Sequence, residues 1–183
     1  VRRFHAGEGE YKETEMAIRA LLAEKGGKVP QQTTSALSGS VPVSDKQTPE
    51  TYLGTKRASN YSGTPTLTQG EKTFTKAELT RVNNWTLSGT WKVGPEGITA
   101  IADSTITIRI AAKEFYFVTG NQNDSASVKV LLNDKPISTT ESAGVDVRNS
   151  SIIVNDAQLY KAVKFKNFQE DNTVQLQVPA GVQ

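Results

Sequence analysis

The chain has 183 residues, a formal net charge of +2, a single histidine and no cysteine. Balanced charge offers no broad basic field, which excludes phosphate neutralisation and with it nucleic-acid binding as a main function. The missing thiols exclude disulfides, thiolate catalysis and cysteine-based metal sites, and one histidine excludes multi-histidine metal centres.

No apolar run is long enough to span a bilayer as a helix, so no membrane contact is expected of this segment itself. A cysteine-free chain suits an oxidising compartment but leaves the compartment open. The chain does not open on methionine, and it is expected to be an excised or processed piece whose targeting signal or anchor lies elsewhere.

In chain order, Val1–Phe4 has the character of a strand end and Ala6–Glu10 of a turn leading into a helix. Tyr11, Thr14, Ile18, Leu21 and Leu22 recur at helical spacing and give one apolar stripe. Glu8, Glu10, Glu13 and Glu15 sit near the positive end of the helix dipole. Lys25 closes the last turn, and Gly26-Gly27 stop it. Residues 28–50 hold three prolines and many Ser, Thr and Gln side chains, with little apolar surface to bury, and predict a linker or extended arm.

From Thr51 the periodicity becomes two. Strands are predicted to begin at Tyr52–Arg57 and to continue at Glu71–Thr75 and Trp85–Val93. In the last, Trp85, Leu87, Trp91 and Val93 share one face, and Thr86, Ser88, Thr90 and Lys92 the other. Gly94–Gly97 is a turn before a strand at Ile98–Ala102. Further strands are expected at Thr105–Ile110, Glu114–Val118 and Ser127–Leu132, the last closed by a tight Asn133-Asp134-Lys135 turn. Val145–Val147, Ile152–Val154, Leu159–Phe165 and Val174–Val178 complete the set. So many one-sided strands predict a mainly β chain, a β-sandwich with an N-terminal helix.

Little in the sequence carries chemistry. His5 is expected to be an ordinary surface or packing histidine, and Gly7-Glu8-Gly9 lacks the third glycine of a dinucleotide loop. Glu114, Asp134, Asp146, Asp156 and Glu170 are scattered, mostly in turns, where carboxylates face solvent rather than pair for glycoside hydrolysis. Asp146, Asn149, Asn155 and Asp156 offer oxygens to a calcium ion, but turn chemistry explains them as well. No metal, cofactor or catalytic residue is assigned.

The aromatic residues pose the sharper question, because sugar-binding sandwiches present rings beside polar groups. The candidates are Tyr52, Tyr61, Trp85, Trp91, Arg109 and Tyr116. Trp85 and Trp91 share the parity of Leu87 and Val93, which argues for the core. Tyr116 opposes Phe115 and Phe117, and Arg109 opposes its flanking isoleucines, so both are expected to face outward, either as a ligand site or as a solvated pair.

Arg3–Tyr11, Thr14-Glu15 and Ile18–Leu22 resemble the last strand and helix of the thioredoxin domain in DipZ-like thiol–disulfide oxidoreductases. Thr48–Gly54, Trp85–Trp91, Gly144–Val147 and Leu159-Tyr160 resemble, in order, motifs of that family's C-terminal domain. The resemblance implies that residues 1–27 end a truncated thioredoxin-like domain and that 51–183 form a jelly roll similar to carbohydrate-binding modules. It also implies an extracytoplasmic, membrane-tethered parent with the redox Cys-x-x-Cys upstream. The family usually runs on into one more aromatic strand beyond Ala180–Gln183. The expected function is a non-catalytic accessory module that binds a glycan or client protein. The alternative is a purely structural domain that packs on the thioredoxin domain or forms a dimer interface.

Overall fold

The computed structural model describes residues 11–26, 46–121, 125–137 and 142–183. The expected strand at Val1–Phe4, the turn at Ala6–Glu10, His5, Gly27 and the arm through Asp45 lie outside the described residues. The chain divides into two compact units, Val1–Val43 and Ser44–Gln183.

The first unit holds helix α1, Tyr11–Glu24. Glu13 lies in its first turn, where a negative charge meets the positive end of the dipole. Arg19 pairs with Glu15 one turn back at 2.6 Å. The helix ends where the sequence stops it: Gly26 takes φ 73°, and its N–H donates to Ala23 O at 3.0 Å. Ile18, Leu21 and Leu22 of the apolar stripe are exposed at 53%, 49% and 44%.

The second unit is antiparallel and mainly β, as the two-residue rhythm predicts. Its strands are β1 (Gly70–Phe74), β2 (Trp85–Val93), β3 (Ile98–Ala100), β4 (Ser104–Thr119), β5 (Ala126–Leu132), β6 (Lys135–Pro136), β7 (Ser151–Val154) and β8 (Gln158–Val178). They are joined in the order β1-β2-β4-β8-β5-β6, with β3 added to β2 and β7 to β5.

β2 changes partners midway. Trp85–Ser88 pairs with β4, whereas Gly89–Val93 pairs with β1 and, towards its end, with β3. The switch falls at Gly89, whose φ of 89° and close approach to Ser104 leave no room for a side chain; an added Cβ would stand 2.8 Å from Ser104 Cα. The turn at Asn133-Asp134 has φ of 51° and 63°, the left-handed pair that a two-residue hairpin requires.

β4 and β8 correct the sequence reading. Each of the two predicted strand pairs, Thr105–Ile110 with Glu114–Val118 and Leu159–Phe165 with Val174–Val178, is one continuous strand. Their mutual register shifts between Ile110 and Ala112, between Ala112 and Glu114, and between Phe115 and Tyr116. Such bulges bend a strand without ending it, so a break in alternation is no strand boundary here. Ala111, which has no partner in β8, is satisfied instead by Thr48. Thr48 N–H donates to Ala111 O at 2.8 Å, and Thr48 Oγ1 accepts from Ala111 N–H at 2.7 Å. The last residues of the expected arm are therefore fastened to the strands.

Two other predicted strands are turns. Around Tyr52–Arg57 the chain folds back, with Ala58 N–H donating to Gly54 O at 3.0 Å, and docks on the β2–β3 turn through Thr55 N–H to Gly94 O at 3.0 Å. Gly54 permits that contact, since a Cβ there would lie 2.5 Å from Glu96 Cα. At Val145–Val147, Val147 N–H turns back to Gly144 O at 3.1 Å, burying Val147 while Val145 is exposed.

The core takes the inward parity of these strands: Trp85, Leu87, Trp91 and Val93 from β2, Ile108 and Ile110 from β4, Val128 and Val130 from β5, and Val174, Leu176 and Val178 from β8.

Candidate binding surface on the outer sheet face

The outward parity of β2, β4, β8, β5 and β7 builds a polar face. Register aligns Ser88, Thr105, Gln177, Lys129 and Ser151 in one row across these five strands. A neighbouring row runs Thr86, Thr107, Gln175 and Leu131. Hydroxyls and amides so placed are as expected for a sheet face turned away from a core.

The segment 75–84 crosses the second row as a strap. Ala77 N–H donates to Thr86 Oγ1 at 3.2 Å. Arg109 Nη1 donates to Leu79 O at 2.9 Å, and Asn83 N–H to Arg109 O at 2.7 Å. Lys76 Nζ lies 3.7 Å from Asp134 Oδ1, which also accepts from Gln175 Nε2. Beneath this strap Thr86, Thr107 and Gln175 are buried, at 1%, 2% and 7% exposure.

The other row stays open. Asp103, Thr105, Ser127, Lys129, Gln177 and Pro179 line a shallow depression of about 400 Å³. Neither Asp103 nor Lys129 makes an ion pair with a described residue. A smaller depression of about 300 Å³ lies beside Tyr61, Asn60 and Thr66.

The candidates singled out in the sequence are scattered. Trp85 and Trp91 are core residues, exposed at 0% and 1%, with indole N–H groups donating to Ser59 O at 2.7 Å and Ser88 O at 3.0 Å. Neither ring offers a face to a ligand, which corrects their place among the binding candidates. Tyr61 packs edge-on against Trp85, ring centroids 4.8 Å apart, and burial pushes its phenol up to about 12. Tyr52 donates to Glu50, which is the main cause of its raised pKa, and the Arg57 guanidinium stands 3.7 Å from its ring centroid. Tyr116 faces outward as its parity requires, donating to Glu114 with Lys161 Nζ 5.8 Å from its ring.

Arg109 is engaged on the strap. Its Nε and Nη2 bind both carboxylate oxygens of Asp171 at 2.7 and 2.6 Å. That hydrogen-bonded pairing holds Asp171 below the usual carboxylate range and raises Arg109. Arg109 and Tyr116 stand seven residues apart on β4, up to about 23 Å in extended chain. The structure does not bring them together.

Of the residues considered for calcium, Asp146 is engaged through its side chain, and Asn155 and Asp156 through their backbone. Asp146 Oδ2 accepts from Lys161 N–H at 2.7 Å, and Tyr160 OH bridges Asn155 N–H and Asp156 O at 3.2 and 3.0 Å. Asn149 sits in a turn at φ 50°. Among the described residues no cluster of three or more His, Asp or Glu side chains is placed to hold a metal ion. Glu114, Asp134 and Glu170 each lie within 4 Å of a lysine, at 3.8, 3.7 and 3.2 Å.

Sequence reasoning missed Asp103, Thr105, Ser127, Lys129 and Gln177. Their alternation was visible strand by strand, but the register that puts them in one depression was not.

The profile of the thioredoxin-like C-terminal domain family matches residues 48–183. Two curated relatives, each named protein DipZ, come from Mycobacterium bovis and Mycobacterium tuberculosis. Each is 32% identical over 139 residues, covering 74% of this chain and 19% of the relative. The chain thus spans about a fifth of the length of these relatives, and the resemblance carried by the Thr48–Gly54 and Trp85–Trp91 motifs is borne out.

Proposed function

From the premise that this chain belongs to the thioredoxin-like C-terminal domain family, we propose that it is a non-catalytic accessory module of an extracytoplasmic, membrane-tethered thiol–disulfide oxidoreductase. Its task is to pack on the thioredoxin-type redox domain and shape access to it. The observation that carries this reading is the fate of the rings. Trp85 and Trp91 are spent on the core, Tyr61 is stacked on Trp85, and Tyr52 is capped by Arg57. Tyr116 alone of these candidates is exposed, at 38%, and it stands apart from the others beside Glu114 and Lys161, so the candidates form no shared aromatic platform for sugar stacking. The exposed stripe of α1, Ile18, Leu21 and Leu22, lies in the first unit and, as the end of the redox domain, is meant for the rest of that domain.

The test is made in the parent protein by removing residues 48–183. Thermal unfolding of the redox domain and exchange with folded protein clients are expected to change, while reduction of a small disulfide stays constant. An unchanged unfolding temperature together with unchanged client exchange would overturn the proposal.

A second reading, ligand binding, is favoured by one specific observation: the open depression holds two charged side chains of opposite sign without ion-pair partners among the described residues. A glycan or client segment bound there would tether the parent near its substrates.

A further inference from the structure

We infer that the open depression takes an acidic oligosaccharide, its carboxylate held by Lys129 and its hydroxyls donating to Asp103. The inference rests on the ligand-binding reading and deepens it by naming the ligand class.

The two charges stand at opposite ends of the depression. Asp103 leads into β4 and Lys129 lies on β5, with β8 between them. Two strand spacings separate them laterally by about 10 Å. Thr105 and Gln177 fill the interval, and Ser127 stands two residues from Lys129 on β5, with hydroxyl and amide groups that both donate and accept. A ligand complementary to this floor carries one anionic group at one end and hydrogen-bond donors along the rest.

Chemistry narrows the class. With no ring in the depression to stack on, a neutral sugar would bind through hydrogen bonds alone, its hydroxyls meeting Asp103 and Lys129, and would leave the lysine charge unneutralised. A carboxylate on Lys129 turns that contact into an ion pair, the gain a neutral sugar lacks. A single lysine matches a monoanionic carboxylate, whereas a phosphate dianion calls for a guanidinium fork or several cations. Asp103 further disfavours a multiply charged anion. An extended peptide fits poorly: the floor is a sheet face whose backbone groups are already paired, and Pro179 is the main apolar surface in the lining, since Val178 turns its side chain to the core. The volume of about 400 Å³ lies at the small end of ligand sites and has room for a disaccharide. Its open shape lets a longer chain run out at both sides.

The experiment titrates the 183-residue chain by heteronuclear NMR with an aldobiouronic acid (one uronate joined to one neutral sugar), its methyl ester and a short acidic peptide. The amides of Thr105, Ser127, Lys129 and Gln177 are expected to shift with the acid. The ester, larger only by a methyl group but uncharged, should bind about fivefold more weakly, the scale of one exposed charged contact. Lys129→Gln should reduce the acid to the affinity of the ester, and Lys129→Arg should restore the preference. Lys129 is exposed, so neither substitution threatens the fold. Equal binding of acid and ester at these amides overturns the acidic class while the ligand-binding reading stands. Stronger shifts with the peptide overturn the sugar. No shift with any probe overturns both.

Discussion

Thr86, Thr107 and Gln175 lie one register step from Ser88, Thr105 and Gln177 on the same sheet face, with the same hydroxyls and amides. The first three are buried under the 75–84 strap, and none of the second three is. Residue type is constant across the comparison, and only the covering segment differs. A polar sheet face therefore becomes interior or open surface according to what crosses it. Substitutions at the two ends should fail in different ways.

The largest effect is expected on the packed side of β2. Trp85→Ala removes one of the two largest buried rings, the partner of Tyr61, and leaves Ser59 O without its indole donor. Denaturant unfolding should show a loss of about 3–5 kcal/mol. Gly89→Ala forces a Cβ towards Ser104 at a φ of 89°. The expected loss is about 2–3 kcal/mol by the same measurement. A loss well below 1 kcal/mol would mean that β2 can pass between its two sets of partners without a glycine.

These positions also mark what the sequence could disclose. The alternation of Trp85–Val93 announces its strand and its inward face without ambiguity, because period two over nine residues has one reading. Asn133-Asp134 announces its turn through residues that tolerate left-handed backbone. The bulges at Ala111 and beyond were hidden, since a register shift looks in sequence like the end of one strand and the start of another. Tyr52–Leu53 and Val145–Val147 misled for a related reason: short apolar stretches serve turns that dock on neighbours as well as they serve strands. The depression was the least legible feature. Its residues come from three strands, and no local pattern records which residue of β4 faces which residue of β8 and β5.

A smaller effect, confined to the strap, is expected of Arg109→Gln. The substitution removes the two-pronged bond to Asp171 and the anchor on Leu79 O. Amide exchange of residues 79–84 should quicken while the β2 and β4 core amides stay protected. Acid should imitate it. Asp171 is held below its ordinary value of 3.8, so the contribution of the pair is present above that value and lost as pH falls through the lowered one. Strap exchange that is indifferent to pH between 5 and 2, beyond the intrinsic rate, would show that Arg109 does not hold the strap down.

The smallest effect belongs to the open end. Lys129→Gln touches an exposed side chain with no ion-pair partner among the described residues. Its cost in unfolding free energy should stay within about 0.5 kcal/mol. The value of this measurement lies in the contrast with Arg109, which faces the same way from β4, on the far side of β8, and fastens the strap. If Lys129→Gln destabilises the fold by as much as a core substitution, the open end is structural, the contrast between the two rows disappears, and the depression loses its claim to be a surface kept free for a ligand.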